Sequence, residues 1–390
     1  MSNKLKDMSQ NTKTPNVSQK GDNCNKHILR HSGLTAAERE NIILLTKENY
    51  YINLNMIPSH WKLLNEDYMK YLMHHLFGQI GQEISLKTFA DAYTTMVHGT
   101  SRVQRRMLWR MLSHPPNPIS YSTLSTYLSH LTRTYLEITR NYQDFWAQRT
   151  KPILTYKMEA FADFLLTKYA KFKSVDLSRN EIYFEKWIEE TRLMQMLHQD
   201  VYKCIYSPNY KPFAAVDAEK SQSCLLDALD VIWLNFHLDN PLHETWTLLY
   251  SSNLYDDTLR TLADSIVNKG STVLVMQDTQ GNVFGAYTPS VWRESKAFFG
   301  SSKCFLFRLD PTYRRLATTI PDKYYMYLNA YSSDSPRGLG IGGPLGTCGL
   351  WLDEIYGQGY SSPRCLDFEF GPLLDTEGFV IEHIQVWSVL

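Results

Sequence analysis

Gly338-Leu339-Gly340-Ile341-Gly342-Gly343 places four glycines in six residues, and Gly349-Leu350-Trp351-Leu352-Asp353 follows shortly after. Ordinary glycine usage is about 7%. Such density implies backbone in left-handed or crowded conformations that a Cβ would forbid. A mobile glycine linker is Ser-rich and free of aromatics, whereas this stretch runs into Leu350-Trp351-Leu352. The spacing predicts a packed turn system inside a β-rich domain, with apolar anchors on both sides.

The chain has 390 residues, room for two or three domains, and 43% apolar residues, enough for sizeable cores. Its formal net charge is zero, unevenly spread. Residues 241–390 hold 11 Lys/Arg and 16 Asp/Glu, a balance of −5, leaving +5 for residues 1–240. Neither value suggests nucleic acid, which calls for a strong basic patch. The six cysteines (24, 204, 224, 304, 348 and 365) form no CxxC pair and have no His at zinc-ligand spacing, so buried free thiols in a reducing compartment are expected. There is no apolar leader and no uncharged apolar run of membrane-spanning length. Ser2 stands where an N-myristoylation signal needs Gly. A cytoplasmic, monomeric protein with no transmembrane span is expected.

Residues 1–33 are rich in Asn, Lys, Ser and Gln and are expected to be disordered. Thr35 and Glu38 form a capping box that opens a helix. From about 65 to 205 apolar residues recur at spacings of three and four, for example Leu124, Leu128, Leu131 and Tyr135. Pro115, Pro116, Pro118 and Pro152 punctuate these helices. The helical domain is expected over 34–206, paired as in EF-hands. It lacks the alternating oxygen ligands and turn glycine of a calcium loop, so no metal site is expected. A linker is expected over 207–222 and a second domain over 223–390. In that domain, helices at 225–238 and 256–269 are followed by short β-like runs at 272–277, 283–288, 303–309, 324–329, 350–353, 366–370 and 379–389. The fold class that follows is α+β, an antiparallel sandwich with flanking helices.

The glycine-rich stretch, with Gly349-Leu350-Trp351-Leu352-Asp353, resembles the signature of the TLDc domain family. Further features in that family's order are Leu249-Tyr250-Ser251-Ser252, Val283-Phe284-Gly285-Ala286, Cys304-Phe305-Leu306-Phe307, Tyr325-Met326-Tyr327-Leu328-Asn329 and Val386-Trp387, so the resemblance spans roughly 226–390. The helical first half and the Trp187 segment give a layout similar to the mTOR-associated lysosomal branch. Three departures are Ser2, the segment Pro344-Leu345-Gly346-Thr347-Cys348, and the end of the chain at Leu390. They imply differences in membrane anchoring and in part of the partner binding.

The resemblance implies a non-enzymatic regulatory protein. Its expected partners are V1 subunits of the cytosolic sector of the vacuolar proton pump (V-ATPase) and mTOR-pathway components. Links to oxidative-stress resistance and a peripheral place at the lysosomal membrane are also implied, and no cofactor. The candidate partner-binding residues are Arg337, Gly338, Gly340, Gly342, Gly343, Trp351, Asp353 and Glu354. Gly338, Gly340 and Gly343 also fit G-x-G-x-x-G, but a dinucleotide site needs a strand before it and a helix after it, and Pro344 and Gly346 oppose the helix. The enzymatic alternative is a thiol-dependent peroxide scavenger using Cys304, Cys348 or Cys365. It requires an exposed thiol of depressed pKa.

Overall fold

A computed structural model describes residues 29–30, 32–46, 49–52, 64–77, 83–112, 119–140, 153–166, 181–207, 210–212, 217–218, 225–238, 245–255, 258–321, 323, 325–355, 357–369 and 371–389. The expected disordered segment 1–33 falls almost wholly outside this set, as do Pro115, Pro116, Pro118 and Pro152. Leu29 is fully buried.

The Thr35–Glu38 capping box forms as its spacing demands and starts α1 (Ala36–Leu45). Glu38 also accepts from the Tyr93 hydroxyl at 2.7 Å and meets His98 Nε2 at 2.8 Å, so one cap carboxylate ties α1 to a later helix. The helices α2 (Glu66–Phe77), α3 (Leu86–His98), α4 (Ser101–Leu112), α5 (Tyr121–Arg140), α6 (Thr155–Leu166), α7 (Glu181–Glu190) and α8 (Arg192–Tyr206) complete this half. Each turns an apolar stripe inward; in α8 Leu193, Leu197, Val201 and Ile205 are buried. Two short strands, β1 (Tyr51–Ile52) and β2 (Ile84–Ser85), pair antiparallel in the loops. Among the described residues no group of His, Cys, Asp or Glu is placed to hold a metal ion.

The helix α9 (Ala228–His237) is mostly apolar, and Leu229, Val231, Ile232, Trp233 and Leu234 are all buried. Such a helix must be enclosed. The Trp233 ring lies 5.7 Å from Phe164 of α6 on one side and 6.4 Å from Phe307 of the sheet on the other. A charged knot reinforces this junction. Lys157 of α6 donates to Asp227 at 2.6 Å and to Asp230 at 2.8 Å, and the Tyr313 hydroxyl donates to Asp230 at 3.0 Å. Burial works against the charge on Lys157, but the Asp230 and Asp227 carboxylates outweigh it and hold the ammonium above its ordinary range.

The strand β3 (Asp217–Ala218) pairs parallel with β4 (Thr245–Ser251), after which α10 (Leu259–Ile266) is capped by Thr258. Nine strands follow: β5 (Thr272–Asp278), β6 (Val283–Thr288), β7 (Ser295–Phe299), β8 (Phe305–Asp310), β9 (Arg314–Ala317), β10 (Met326–Asn329), β11 (Gly338–Ile341), β12 (Leu350–Asp353) and β13 (Gln358–Tyr360). The last, β14 (Gly378–Val389), begins beside β13 and ends between β4 and β5. It thereby carries one continuous twelve-stranded sheet from one layer of a sandwich to the other. Leu274, Phe284 and Leu306 of the first layer face Leu339, Leu350 and Leu352 of the second. The other face of the first layer packs on the helices through Val273, Val275, Phe305 and Phe307. Among the described residues, the outer-face cluster of the second layer, Tyr327, Cys348 and Trp351 with Phe298 and Tyr360, includes no helix residue. The fold is α+β, as expected.

Two expectations are corrected. Gly338–Ile341 is a strand in mid-sheet rather than a turn; of the glycines between 338 and 349, those with positive φ are Gly342 and Gly346, beyond the strand (74° and 87°). Of the expected run 366–370, residues 366–369 are not a strand, Phe368 making a single bridge to Thr318, and residue 370 lies outside the described residues.

A candidate docking groove on the outer sheet face

The register across the second layer aligns Tyr327 with Gly340, Gly340 with Trp351, and Trp351 with Tyr360. Strands two apart are separated by about 9.5 Å. The Tyr327 and Trp351 rings nevertheless approach to 5.6 Å, because the intervening Gly340 has no side chain. The ladder continues from Tyr327 to Phe298 at 5.5 Å and from Trp351 to Tyr360 at 6.2 Å. A Cβ on Gly340 would sit 2.9 Å from Trp351 Cε3, and one on Gly338 2.3 Å from Trp351 Cζ2. The alternating glycines are thus a floor for an indole, and space rather than backbone freedom requires them.

At the open end of the ladder lies a groove of about 290 Å³. Trp351 and Tyr360 line it with Arg337, Asp353, Glu354 and Leu345. Arg337 Nε meets Glu354 Oε2 at 2.5 Å. Asp353 accepts from Trp351 Nε1 at 3.5 Å and from the Ile355 amide at 3.0 Å. Trp351 is only 5% exposed and acts as a rigid wall, while Ile355 stands out 60% exposed next to Glu354. This combination of anchored aromatics, paired charges and a protruding aliphatic group has the composition of a protein-binding patch.

Of the candidate residues, Arg337, Trp351, Asp353 and Glu354 meet in the groove, and Gly338 and Gly340 support it from below. Gly342 and Gly343 do neither. A Cβ on them would strike Phe368 and Phe298, and the Gly343 amide donates to Asp367 at 2.8 Å, so they pin the following loop. Tyr360, Tyr327 and Phe298 are the members that sequence reasoning misses. Their signal is cross-strand register, which no linear spacing displays.

The thiols have the opposite of a reactive environment. Cys304 and Cys348 are buried, and burial pushes both up to about 12. Cys365 is also raised by burial. Nor does a helix follow β11; the chain turns through Pro344 and Gly346 into β12. The geometry for a pyrophosphate at a helix N-terminus is missing here.

The TLDc domain family model matches residues 219–390. This chain carries a TLDc domain. The chain is also similar to the protein named MTOR-associated protein MEAK7. It is 37% identical to the chicken protein over 167 residues, covering 42% of this chain and 36% of that protein. With the mouse protein it is 25% identical over 333 residues, 79% of this chain and 72% of that protein, so the likeness extends into the helical half. The oxidation resistance protein 1 of Yarrowia lipolytica is 32% identical over 157 residues, 38% of this chain and 65% of that protein. The layout of helices followed by a TLDc domain is that of the MEAK7 relatives. The groove and its ladder lie wholly inside the TLDc domain.

Proposed function

We propose that the protein is a non-enzymatic regulatory adaptor, linked to mTOR signalling, whose TLDc domain docks on the V1 sector of the V-ATPase. The outer-face groove is the docking site. The observation that carries this reading is the convergence of Arg337, Trp351, Asp353 and Glu354 at one end of a rigid aromatic ladder. A preorganised patch binds without first ordering its side chains, which lowers the cost of association. The relatives' names, mTOR-associated and oxidation-resistance, support the same regulatory class. The protein acts in the cytoplasm and at the lysosomal surface, as a monomer and without a cofactor. The helical half, read as an EF-hand-like pair joined by β1 and β2, adds a second contact, with 34–206 and 223–390 as the two domains. The peroxide-scavenging alternative finds no support in thiols that are buried and raised.

The test is co-purification of tagged full-length protein with V1, wild type against Arg337→Glu. The substitution breaks the Arg337–Glu354 pair at the surface, where stability effects are small. Retained melting temperature with loss of V1 from the eluate is expected. Unchanged recovery of V1 by a folded Arg337→Glu protein would remove the groove from the docking site.

A further inference from the structure

Five times in the chain a Ser or Thr is followed by Pro, at Thr14, Ser207, Thr288, Ser335 and Ser362. That dipeptide is the minimal substrate of proline-directed protein kinases. Thr14 lies outside the described residues. Three of the other four hydroxyls are engaged. Thr288 is buried and shares a hydrogen bond with Thr272 at 2.7 Å, Ser207 accepts from Asn41 Nδ2 at 3.3 Å, and Ser362 accepts from the Arg364 amide at 3.2 Å. Ser335 differs. It is half-buried, Pro336 beside it is exposed, and among the described residues its hydroxyl has no hydrogen-bond partner.

The loop around Ser335 is held by its backbone. Asn329 Nδ2, at the end of β10, donates to the carbonyls of Ser332 at 2.9 Å, Ser335 at 3.0 Å and Pro336 at 3.2 Å, and the Tyr327 hydroxyl donates to the Pro336 carbonyl at 2.7 Å. Side chains are therefore not what pins this loop to β10. Pro336 steers Ser335 away from the helical region and into extended backbone. In extended backbone, side chains two positions apart leave the chain on the same side. Ser335 thus shares a side with Arg337, and Pro336 and Arg337 both line the outer-face groove. Arg337 meets Glu354 Oε2 through Nε, and a guanidinium has four further N–H donors. The acid next to Ser335, Asp334, is balanced by Lys296 at 2.6 Å.

The geometry points to Ser335 as a phosphorylation site that switches the outer-face groove, its phosphate drawing Arg337 away from Glu354. In the modification Ser335 Oγ attacks the γ-phosphorus of ATP. The new O–P bond replaces the bond to the departing ADP, and the hydroxyl proton passes to the kinase's base. At neutral pH a phosphoserine carries between one and a half and about two negative charges and three acceptor oxygens. Glu354 offers one charge, so the phosphate is the stronger partner for the arginine fork. The rim, now Arg337 with Asp353 and Glu354, would become strongly acidic, and Arg337 would be withdrawn from any partner. The consequence for V1 rests on the docking function proposed above; the phosphate site and its capture of Arg337 do not.

The test treats the full chain with ATP, magnesium and a recombinant proline-directed kinase of the mitogen-activated class. Peptide mapping by mass spectrometry is expected to place phosphate on Ser335 of the folded protein, and Ser335→Ala to lose it. Phosphate only on other sites, or on Ser335 only after heat denaturation, overturns the proposal. Capture of Arg337 is read without V1, by 31P NMR titration. A phosphoserine loses its second proton near pH 6, and a neighbouring cation lowers that value. A value lower by roughly half a unit in the wild type than in Arg337→Gln is expected; equal values overturn the capture. The last arm is V1 co-purification, with recovery expected to fall at least tenfold on phosphorylation and to hold in Ser335→Ala treated alike. Loss of V1 with Arg337→Glu but not with phosphate would overturn the switch and leave the docking reading standing. Unchanged V1 in both would overturn the docking reading, and mapping and 31P titration would then decide the phosphate site alone.

Discussion

The helical half and the outer sheet layer are packed on opposite principles. The helices bury ionisable groups and pair several of them: His198 meets the Tyr127 hydroxyl at 2.8 Å, Asp200 accepts from Tyr210 at 2.7 Å, and Lys157 sits among Asp227, Asp230 and Tyr313. The outer layer keeps its aromatic ladder free of charge and confines Arg337, Asp353 and Glu354 to the rim. Its packing depends instead on side chains that are absent, at Gly338 and Gly340. The first region should therefore be sensitive to charge and pH, and the second to volume.

The largest effect is expected at the border of the two. Lys157→Met leaves Asp227 and Asp230 without their cation in a buried site, at a cost of about 3–5 kcal/mol in denaturant unfolding. A loss below about 1 kcal/mol would mean that the knot does not hold the junction. Next comes volume in the ladder. Gly340→Val is expected to cost about 1–3 kcal/mol because its new methyls strike Trp351. Combined with Trp351→Ala, which removes that ring, its cost should largely vanish, so the two are expected to be strongly non-additive. Simple additivity would show that Gly340 is not a floor for the indole.

Acid is expected to act on the helical side. Burial pushes His198 down to about 3 and His237 of α9 down to about 4, from an ordinary 6.5. A depressed folded pKa means that the unfolded chain binds more protons. Stability is thus present above 6.5 and falls on acidification, by about 1.4 kcal/mol per pH unit for each histidine until its folded value is reached. Glu38 acts in the same direction lower down. Burial opposes its charge, but hydrogen bonds from Thr35, Tyr93 and His98 hold it at about 2 against an ordinary 4.5. Melting curves recorded between pH 7 and 5 check the histidine contribution, and His198→Gln should flatten the slope. The smallest stability effect belongs to Arg337→Glu, close to zero, and it should matter for binding alone.

What the sequence displays is local. The Thr35–Glu38 box, the apolar periodicity of α3, α5 and α8, and the β-like runs at 272–277, 283–288 and 350–353 all appear where neighbouring residues announce them. What it conceals is pairing at a distance. The strand β11 is hidden because glycine weakens a strand by ordinary propensity; here the neighbouring strand's tryptophan supplies the missing contacts. Lys157 and Asp230 lie 73 positions apart and are unremarkable until the fold joins them. Half of the candidate site is legible in the same way. Arg337, Asp353 and Glu354 are visible as charges beside a tryptophan, whereas Tyr327 and Tyr360 enter only through register.

The measurement that bears most directly on the docking site is hydrogen–deuterium exchange of the full chain, free and in the presence of purified V1. Slowed exchange is expected in 336–346 and 351–360, around the groove, with the first sheet layer unchanged. Protection elsewhere, with those two segments exchanging as in the free protein, would contradict docking through the outer face of the TLDc domain.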